Sequence, residues 1–418
     1  MPIMQSKNYF RFAVENRRFL AFGFLLSFSS SFGQTFFVGV FGPDLRAEFG
    51  LSHGDWSLVY MVGTLASALV LPWSGRIIDR IDLSIFAVVA CVGLAAACFV
   101  TITAGHVVLL VFAIFLLRQF GQGLMSHTSV TSMVRYFDNN RGKAISIGAM
   151  GFSAGEAVLP LIAVLAIAAI GWRLTYAVAG FFIVLVVIPL TLWLLKGHGE
   201  RHQNHLEALA SPVLNATKGR QWTRAEVLRN PRFYVLLIGI EAPSLIETGL
   251  FFHHLHLADV KGWSHGWLTG NYIVFAVTTF ATMLVAGRLV DRIGALRLVP
   301  LHLIPLGVAL VIVALFDAPL VASFYLLAMG ISAGLAFTSV VAMWAELYGV
   351  RHIGAIKSLV SATMVFASAL GPPFMGVLID AGVGMDVICL IFAAYVVVGT
   401  VLIWAALRGV SGGSSAHT

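Results

Sequence analysis

Gly75-Arg76-Ile77-Ile78-Asp79-Arg80-Ile81 recurs 212 residues later as Gly287-Arg288-Leu289-Val290-Asp291-Arg292-Ile293. The same offset aligns four further features, namely Ser52-His53-Gly54 with Ser264-His265-Gly266, Tyr136 with Tyr348, Gly142 with Gly354, and Pro160 with Pro372. Chance does not keep one offset over so many helix-length segments, so the chain is an internal duplication. Each half is therefore expected to carry the same arrangement of secondary structure.

The composition places the duplicated chain in a membrane. Of its 418 residues, 59% are hydrophobic and 11% are charged, whereas soluble domains have roughly 25% charged residues. A soluble protein covers its surface with polar side chains, and this chain has too few of them to do so. The composition therefore excludes a soluble globular protein and favours one that faces lipid.

Twelve apolar runs are long enough to cross a bilayer, which takes about 20 residues. In chain order, span 1 to span 12 cover residues 19–42, 56–76, 84–104, 107–134, 143–169, 172–195, 233–257, 267–287, 297–316, 319–345, 354–379 and 385–407. Backbone polar groups cannot stay unpaired in hydrocarbon, so runs of this length form helices. The expected fold class is an all-α membrane protein with twelve transmembrane helices in two six-helix bundles.

The basic residues mark one side of the membrane. If residue 1 is cytoplasmic, 22 of the 26 Lys and Arg residues fall in cytoplasmic segments, and only Arg46, Arg173 and Lys261 fall on the opposite side. An excess of Lys and Arg marks cytoplasmic loops, so both termini are expected in the cytoplasm and the multi-pass protein in the cytoplasmic (inner) membrane. The net charge of +7 is thus a topology signal, and no nucleic-acid partner is expected.

The two halves and their connector divide the chain into four segments. We expect an N-terminal six-helix bundle at 1–195, a cytoplasmic connector at 196–231, a C-terminal six-helix bundle at 232–410 and a disordered tail at 411–418. Six is an even number of spans, so both halves enter the membrane in the same direction and form parallel repeats.

The second motif copy, Gly287-Arg288-x-x-Asp291-Arg292-x-Gly294-x-x-Arg297, closely resembles the signature of the turn between helices 8 and 9 in the major facilitator superfamily. The first copy has the same core but carries Asp82 where Gly294 stands. The resemblance implies a secondary active transporter in which two bundles rock around a midplane site.

The motif residues are expected to gate the cytoplasmic side; they are Gly75, Asp79, Arg80, Gly287, Asp291 and Arg292. Glycine allows close helix contact, and helix N-termini attract carboxylates. Asp79 would then face the start of span 11, and Asp291 the start of span 5. The cations available there are Arg351, Lys357, Arg141 and Lys143. Alternatively, the arginines only fix the topology.

The segment after span 4 narrows the resemblance. Tyr136-Phe137-Asp138-Asn139-Asn140-Arg141-Gly142-x-Ala144 and the glycines that follow it (Gly148, Gly151, Gly155) resemble the monocarboxylate and oxalate–formate branch. Small residues also suit tight helix packing, which is a sufficient structural explanation. Members that bind carboxylates commonly carry a cation in span 8, but residues 267–287 contain none. Span 5 also lacks the Gly-Pro pair of drug exporters, which favours uptake.

Ionisable residues inside the spans are the candidates for chemistry, because charge within a membrane is costly. They are Arg118 in span 4, Glu156 in span 5, and Glu241 and Glu247 in span 7. Pro243 should weaken span 7 between its two glutamates. Arg118 stays charged and needs an anion, which is either a substrate carboxylate held by its planar fork or Glu156. Burial disfavours a charged carboxyl group, so the three glutamates are candidates for proton coupling.

Uncharged polar residues at membrane depth complete the predicted substrate site. Gln34, Gln122 and Asn271 join Arg118 and Glu241 in this set, although hydrogen bonding between helices explains each of them equally well. Three histidines stand together at the outer end of span 7, namely His253, His254 and His256. Their spacing is a weak metal signal, so we expect wet interfacial side chains and no metal site.

The leading prediction is a transporter that moves a small organic solute, with a monocarboxylate as the suggested class, by alternating access coupled to protons. The alternatives are an exporter of drugs or metabolites and a non-transporting membrane sensor. No serine elbow, metal-ligand cluster or phosphate loop occurs in the sequence, so neither an enzyme nor a cofactor is expected. The expected partners are the substrate, protons and membrane lipid, and the protein is expected to be a monomer.

Overall fold

The computed structural model of this protein contains helices and no strands among the residues that it describes. These are residues 11–79, 81–137, 141–199, 222–349 and 353–408, without the side chains of 76, 79, 141, 142, 291 and 353–355. The predicted all-α fold class is therefore confirmed.

The first half of the chain contains several interrupted helices. Span 1 comprises Arg17–Ser30, Ser31–Gly33, Thr35–Val38, Gly39–Phe41 and Gly42–Phe49; span 2 comprises His53–Ser74 and the 3-10 turn Gly75–Asp79; span 3 is Leu83–Ile102; span 4 comprises Val107–Leu116, the π-helix Leu117–Met125 and Ser126–Tyr136; and spans 5 and 6 lie within Arg141–Phe182, Ile183–Val187 and Ile188–Leu195.

The second half begins after a short helix, Arg224–Leu228. Span 7 comprises Pro231–Ile240, Ala242–Phe252 and His254–Lys261; span 8 comprises His265–Gly270 and Tyr272–Ile293; span 9 comprises Ala295–Leu298, Val299–Leu301 and Leu303–Leu315; and spans 10, 11 and 12 are Val321–Tyr348, Ile353–Asp380 and Met385–Arg408.

These helices account for twelve crossings. Ten are long and apolar enough to cross a membrane, and the pair Arg17–Gly33 and Thr35–Phe49, bent by 45°, adds span 1. One of the ten, Lys143–Leu195, has 53 residues, which is more than two crossings need. Gly171 inside it has a non-helical backbone (φ 78°, ψ 162°), so it divides into spans 5 and 6 as the sequence predicts.

The chain forms two compact units that depart in one respect from the division of the sequence. The N-terminal unit contains residues 1–41 and 62–214, and the C-terminal unit contains 42–61 and 215–418. The second unit thus includes the end of span 1 and the start of span 2, which belong to the first half of the duplication.

Span 5 packs tightly on span 1 within the N-terminal unit. A Cβ atom at Gly151 would lie 2.0 Å from the Phe24 carbonyl oxygen, and one at Gly155 would lie 2.2 Å from the Ser31 hydroxyl oxygen. Both distances are too short for any side chain, so these glycines are required for contact. The glycine spacing in span 5 is therefore explained by packing.

Span 11 makes the equivalent contact with span 7 in the C-terminal unit. A Cβ atom at Gly371 would lie 2.0 Å from the Leu245 carbonyl oxygen. Spans 8 and 10 approach closely in the same way, because a Cβ atom at Gly334 would lie 2.6 Å from the Thr279 carbonyl oxygen. Each unit therefore depends on small residues where its helices meet.

The two copies of the repeated turn start the next helix differently. Asp82 has an ordinary backbone (φ −56°, ψ 138°), and its carboxylate accepts the N–H of Ser84. Gly294 has φ 84° and ψ 151°, a conformation that strongly favours glycine. There the carboxylate of Glu346 in span 10 accepts the N–H of Ala295 at 2.9 Å. In the first motif copy, Asp82 therefore caps the next helix locally, whereas in the second copy the capping carboxylate comes from Glu346 in another span.

The basic residues on the predicted non-cytoplasmic side of the membrane all make contacts within the protein. The Lys261 ammonium lies 2.5 Å from Asp317 and 2.7 Å from Asp386, and its side chain is 1% exposed. Arg173 donates to the carbonyl oxygens of Ile102 and Ala104, each at 3.2 Å.

The packing of spans 1 and 5 can be tested with Gly151→Val. The new side chain would force the two helices apart, and we expect a loss of about 1–3 kcal/mol in stability. The thermal unfolding midpoint of the purified protein measures this loss. Gly105→Val is the matched control, since no atom lies within 4 Å of a Cβ atom placed there. Equal midpoints for the two variants would contradict the packing argument.

Candidate functional site

Span 1 is broken at Gln34, near its middle. Gln34 has an extended backbone (φ −86°, ψ 157°) between the short helices Ser31–Gly33 and Thr35–Val38. A break of this kind removes helical partners from the neighbouring backbone groups, which must then bond to another part of the protein. The Gly33 carbonyl is one such group.

Arg118 of span 4 supplies the donor for that carbonyl. Its Nη1 atom donates to the Gly33 oxygen at 3.0 Å and to the Thr35 hydroxyl at 3.4 Å. The residue is 2% exposed and lies in the π-helix Leu117–Met125. The guanidinium ion is therefore held inside the N-terminal unit, beside the break in span 1.

The other predicted residues of the N-terminal unit lie around the same break. Gln122 has its backbone nitrogen 3.0 Å from the position of a Cβ atom on Gly33. Glu156 is 6% exposed and directly follows Gly155, which packs on Ser31. The structure thus brings the elements that carry Gln34, Arg118, Gln122 and Glu156 together at one place.

Span 7 is broken twice in the C-terminal unit. The first break is at Glu241, and Pro243 occupies the first turn of the next helix, Ala242–Phe252, as the sequence predicts. The Glu241 carboxylate is 8% exposed and accepts the Thr363 hydroxyl of span 11 at 2.8 Å. The second break is at His253, where the backbone has φ −100° and ψ 14°.

Glu247 lies between the two breaks of span 7. The residue as a whole is half-buried, but its Oε1 atom is buried and has no hydrogen-bond partner among the described residues. Glu241 and Glu247 therefore have different surroundings, one hydrogen-bonded and one with an unsatisfied buried oxygen.

His254 connects three spans by hydrogen bonds, and the sequence did not indicate this. Its Nδ1 atom lies 2.6 Å from the Tyr272 hydroxyl, and its Nε2 atom lies 2.6 Å from the Tyr325 hydroxyl. The residue is 1% exposed, and His253 is 3% exposed. The expectation of wet interfacial histidines is therefore wrong for both, because each imidazole has polar partners inside the protein.

Several polar residues singled out in the spans are used in contacts between helices. Asn271 donates to the Trp267 carbonyl at 2.8 Å and accepts the Ser323 hydroxyl at 2.5 Å. Gln119 accepts the Ser67 hydroxyl at 3.0 Å and donates to Ser74 at 2.7 Å. These hydrogen bonds give both side chains a structural role.

The start of span 2 is held by the end of span 11 within the C-terminal unit. The Asp380 carboxylate accepts the backbone N–H of His53 at 3.0 Å and that of Gly54 at 2.7 Å. These donors stand at a helix N-terminus, where they have no partner in their own helix. A carboxylate there is also favoured by the helix dipole. We call this contact the Asp380 cap.

Aromatic and polar contacts extend the Asp380 cap along span 2. Trp56 stacks on Phe252 with ring centroids 5.4 Å apart, and the Ser57 hydroxyl lies 3.2 Å from His253 Nε2. A Cβ atom at Gly376 would lie 2.7 Å from the His53 carbonyl oxygen. This contact explains why residues 42–61 belong to the C-terminal unit.

The predicted gating residues are only partly within the described structure. Arg80 and the side chains of Asp79 and Asp291 lie outside it, so the expected charge pairs remain predictions. Gly75 is buried next to His127, whose ring is 3.4 Å from the position of a Cβ atom. At Gly287, by contrast, a Cβ atom would meet no described atom within 4 Å, and Arg292 is exposed. A Cβ atom 3.4 Å from His127 is in ordinary van der Waals contact, so close helix contact requires glycine at neither position.

Arg118 and Glu156 have no charged counterparts in the second half, and packing gives the reason at the position of Arg118. Arg118 aligns with Gly330, where a Cβ atom would lie 2.7 Å from the Phe275 carbonyl oxygen. Glu156 aligns with Ser368, whose hydroxyl donates within its own helix to Val365 at 2.8 Å. The two halves share a fold but not their polar interior.

Comparison with known families agrees with this architecture. The sequence model of the Major Facilitator Superfamily matches residues 23–327 and 266–416. The chain belongs to the major facilitator superfamily. The family is one of membrane transporters, and its members bind small-molecule substrates.

Two further comparisons describe what this facilitator is similar to. Monocarboxylate transporter 6 of Homo sapiens is 28% identical over 151 residues, which cover 34% of this chain and 28% of that protein. The matched region thus spans less than a third of the length of that relative.

Crystal structures of a bacterial homolog of the human lysosomal transporter Spinster share the fold. The inward-facing unoccupied form has a TM-score of 0.66 at 14% identity, covering 94% of this chain and 97% of that one. The inward-facing occupied form has a TM-score of 0.69 at 14% identity, covering 95% and 97%.

The Asp380 cap of this facilitator can be tested with Asp380→Asn. An amide keeps one acceptor and presents a donor to the second N–H, so one charge-assisted hydrogen bond is lost. We expect the start of span 2 to open more often. A reporter introduced by Val59→Cys, a position that is 6% exposed, should then react several-fold faster with a water-soluble maleimide.

Asp55→Asn is the matched control for this test. It removes the same charge from an exposed residue of the same helix end, whose hydrogen bonds with described residues are to Ser52 of its own segment. The three native cysteines are buried and should contribute little labelling. Equal labelling rates in Asp380→Asn and Asp55→Asn would show that the cap does not hold span 2.

Proposed function

We propose that this facilitator is a proton-coupled carrier of a small organic anion, with a monocarboxylate as the leading class. It works by alternating access in the cytoplasmic membrane, with both termini in the cytoplasm. The observation that carries the proposal is the buried guanidinium of Arg118 at the break in span 1.

Arg118 is the proposed anchor for the substrate anion. Its side chain stays protonated at any physiological pH, and an ion inside a membrane protein needs a counter-charge or a strong hydrogen-bond acceptor. The Gly33 carbonyl and the Thr35 hydroxyl, to which it donates, are uncharged. A substrate carboxylate would bring a negative charge to the guanidinium through a bidentate pair, with Gln34 and Gln122 beside it. The alternative is that Glu156 supplies the charge and that Arg118 is structural.

The suggestion of a monocarboxylate has one line of support besides the charge. Monocarboxylate transporter 6 shares 28% identity over 151 residues with this chain, and its name describes its substrate class. The absence of a cation in residues 267–287 would then leave Arg118 in the N-terminal unit to do the work of anion recognition.

Glu241 and Glu247 are the proposed proton carriers of the C-terminal unit, and Glu156 is the candidate in the N-terminal unit. A buried carboxyl group favours its neutral form, so each can take up a proton when it faces water and keep it when it is enclosed. The case is strongest for Glu247. Its buried Oε1 atom has no hydrogen-bond partner among the described residues, and protonation would remove the negative charge of that carboxyl group. The proton and the substrate charge would then cross the membrane in one step.

The Asp380 cap and the repeated motif are the proposed gates. A carrier must expose its site to each side in turn, so contacts at both ends have to break. The Asp380 cap is made of two hydrogen bonds to backbone groups, of which the one to His53 is exposed and the one to Gly54 is partly buried, so water can replace the carboxylate from the exposed side. At the cytoplasmic end, the proposed gate is formed by the residues of the repeated motif, which are Gly75, Asp79, Arg80, Gly287, Asp291 and Arg292.

Arg118→Lys tests the anchor. Lysine keeps the positive charge but replaces a planar fork with a point charge, so we expect the KM for the anion to rise about tenfold, equivalent to about 1.4 kcal/mol. Uptake into proteoliposomes measures this, using whichever of lactate, pyruvate, formate and oxalate stabilises the native protein most in thermal unfolding.

Arg173→Lys is the control for the anchor test, because Arg173 donates to backbone carbonyl oxygens far along the chain from the break. Its KM should stay at the native value. An unchanged KM in Arg118→Lys would assign Arg118 to structure alone. Failure of all four carboxylates to bind would reject the substrate class.

Glutamine at each glutamate tests proton coupling. Glu156→Gln, Glu241→Gln and Glu247→Gln keep the size of the side chain but cannot carry a proton. We expect the variant at the coupling site to exchange substrate across the membrane and to lose accumulation driven by a pH gradient. Exchange and accumulation are measured on the same proteoliposomes.

The control for coupling is Glu15→Gln, because Glu15 is exposed and pairs with Arg11 at 2.7 Å. It should accumulate substrate like the native protein. If all three glutamine variants inside the spans still accumulate substrate from a pH gradient, none of these carboxyl groups couples transport to protons.

A further inference from the structure

A polar cavity lies where span 1 begins and span 6 ends. It has a volume of about 650 Å³ and is formed by residues 14–19 and 194–198 of the N-terminal unit. Its walls carry three permanent cations, Arg17, Arg18 and Lys196. Topology requires positive charge near the end of a span, but it does not require the cations to line one open cavity, so their arrangement needs another explanation.

The described residues place no free carboxylate beside the cations of this cavity. Glu15 is the one carboxylate in its walls, and it is paired with Arg11 at 2.7 Å. Among the described residues, no carboxylate lies within 4.0 Å of the three cations. The cavity is therefore a positively charged site with room for an anion.

Arg18 is oriented by contacts that use no negative charge. Its guanidinium lies over the Trp193 ring, 5.1 Å from the ring centroid, and donates to the Trp193 carbonyl oxygen. An arginine stacked on an aromatic ring keeps its other donors in a fixed plane. This geometry suits the oxygens of a phosphate group.

Ring contacts join the cavity to the neighbouring spans. Gly197 has φ 84°, a conformation that side chains rarely adopt. The next residue, His198, stacks on Phe19 at 5.4 Å and meets Tyr136 edge-on at 4.7 Å. The site therefore joins the ends of spans 1, 4 and 6.

The surface beside the cavity points to a lipid as the occupant. Span 6 presents exposed apolar side chains next to it, with Leu192 49% exposed and Trp193 58% exposed. Acyl chains would lie along this face while the head group entered the cavity. A soluble phosphate would gain nothing from these apolar side chains.

We propose that this cavity binds the head group of an anionic phospholipid at the membrane surface. The phosphodiester would lie between Arg18 and the flexible cations Arg17 and Lys196, with its acyl chains against span 6. Basic pockets between transmembrane helices are a known form of head-group site. Only the choice of the cytoplasmic leaflet rests on the topology proposed above; binding itself does not depend on that topology or on transport.

Affinity for phosphatidylglycerol tests the site. Binding to the intact protein in detergent is measured by native mass spectrometry, with phosphatidylcholine as the neutral lipid. The triple variant Arg17→Gln, Arg18→Gln and Lys196→Gln should lose phosphatidylglycerol affinity about tenfold or more, with little change for phosphatidylcholine.

A matched triple variant controls for net charge. Arg224→Gln, Arg229→Gln and Arg297→Gln remove the same number of charges from exposed residues outside the cavity and should keep the native affinity. Equal losses in the two triple variants would overturn the proposal, because binding would then depend on overall charge.

Two further measurements guard against a misfolded triple variant and a soluble ligand. Arg18→Lys keeps the charge and topology signal but loses the stacked fork, so it should weaken phosphatidylglycerol binding several-fold; native affinity would overturn the proposed role of Arg18. Inorganic phosphate should not displace phosphatidylglycerol at equal concentration. Displacement at equal concentration would assign the cavity to a soluble anion.

Discussion

The rest of this structure depends on how backbone groups at helix breaks and helix ends find partners in a membrane protein. Hydrocarbon offers no water, so each unpaired N–H or C=O needs a donor or acceptor from the protein. Arg118 donates to the Gly33 carbonyl. Asp380 accepts from the N–H groups at the start of span 2, and Glu346 accepts from an N–H group at the start of span 9. In each case the partner comes from another span, so meeting the local need also fixes which helices meet.

This constraint links structure to transport. Arg118 stabilises the break in span 1, and the same charge is the proposed attraction for an anion. A site built on a bond that the protein already needs is held in position before a substrate arrives, which lowers the entropy lost on binding. The Asp380 cap has the opposite character, because its donors are at a helix end near the surface and can exchange the carboxylate for water.

Much of the fold could be predicted from the sequence because it follows from composition and short-range pattern. Run lengths give the twelve spans, and Pro243 gives the first break in span 7. No proline marks the break at Gln34 or the π-helix around Arg118. The weaker signal for both is a pair of glycines, Gly33 and Gly121, which lie where spans 1 and 4 approach closely. The bonds of His254 to Tyr272 and Tyr325 and the cap by Asp380 join residues far apart in the chain. Only tertiary packing decides such pairs, so periodicity could not reveal them.

The exchange of residues 42–61 between the halves has a consequence for the history of the duplication. An ancestral half that lived alone would have presented Trp56 and its neighbours either to lipid or to a second copy of itself, in place of Phe252. A paired assembly of identical halves would have covered this surface from the beginning. After fusion into one chain, only one half needed to keep each member of a contact pair: His53 is still matched by His265, but Asp380 aligns with Ala168. The two halves of the present chain are therefore complementary parts and no longer interchangeable ones.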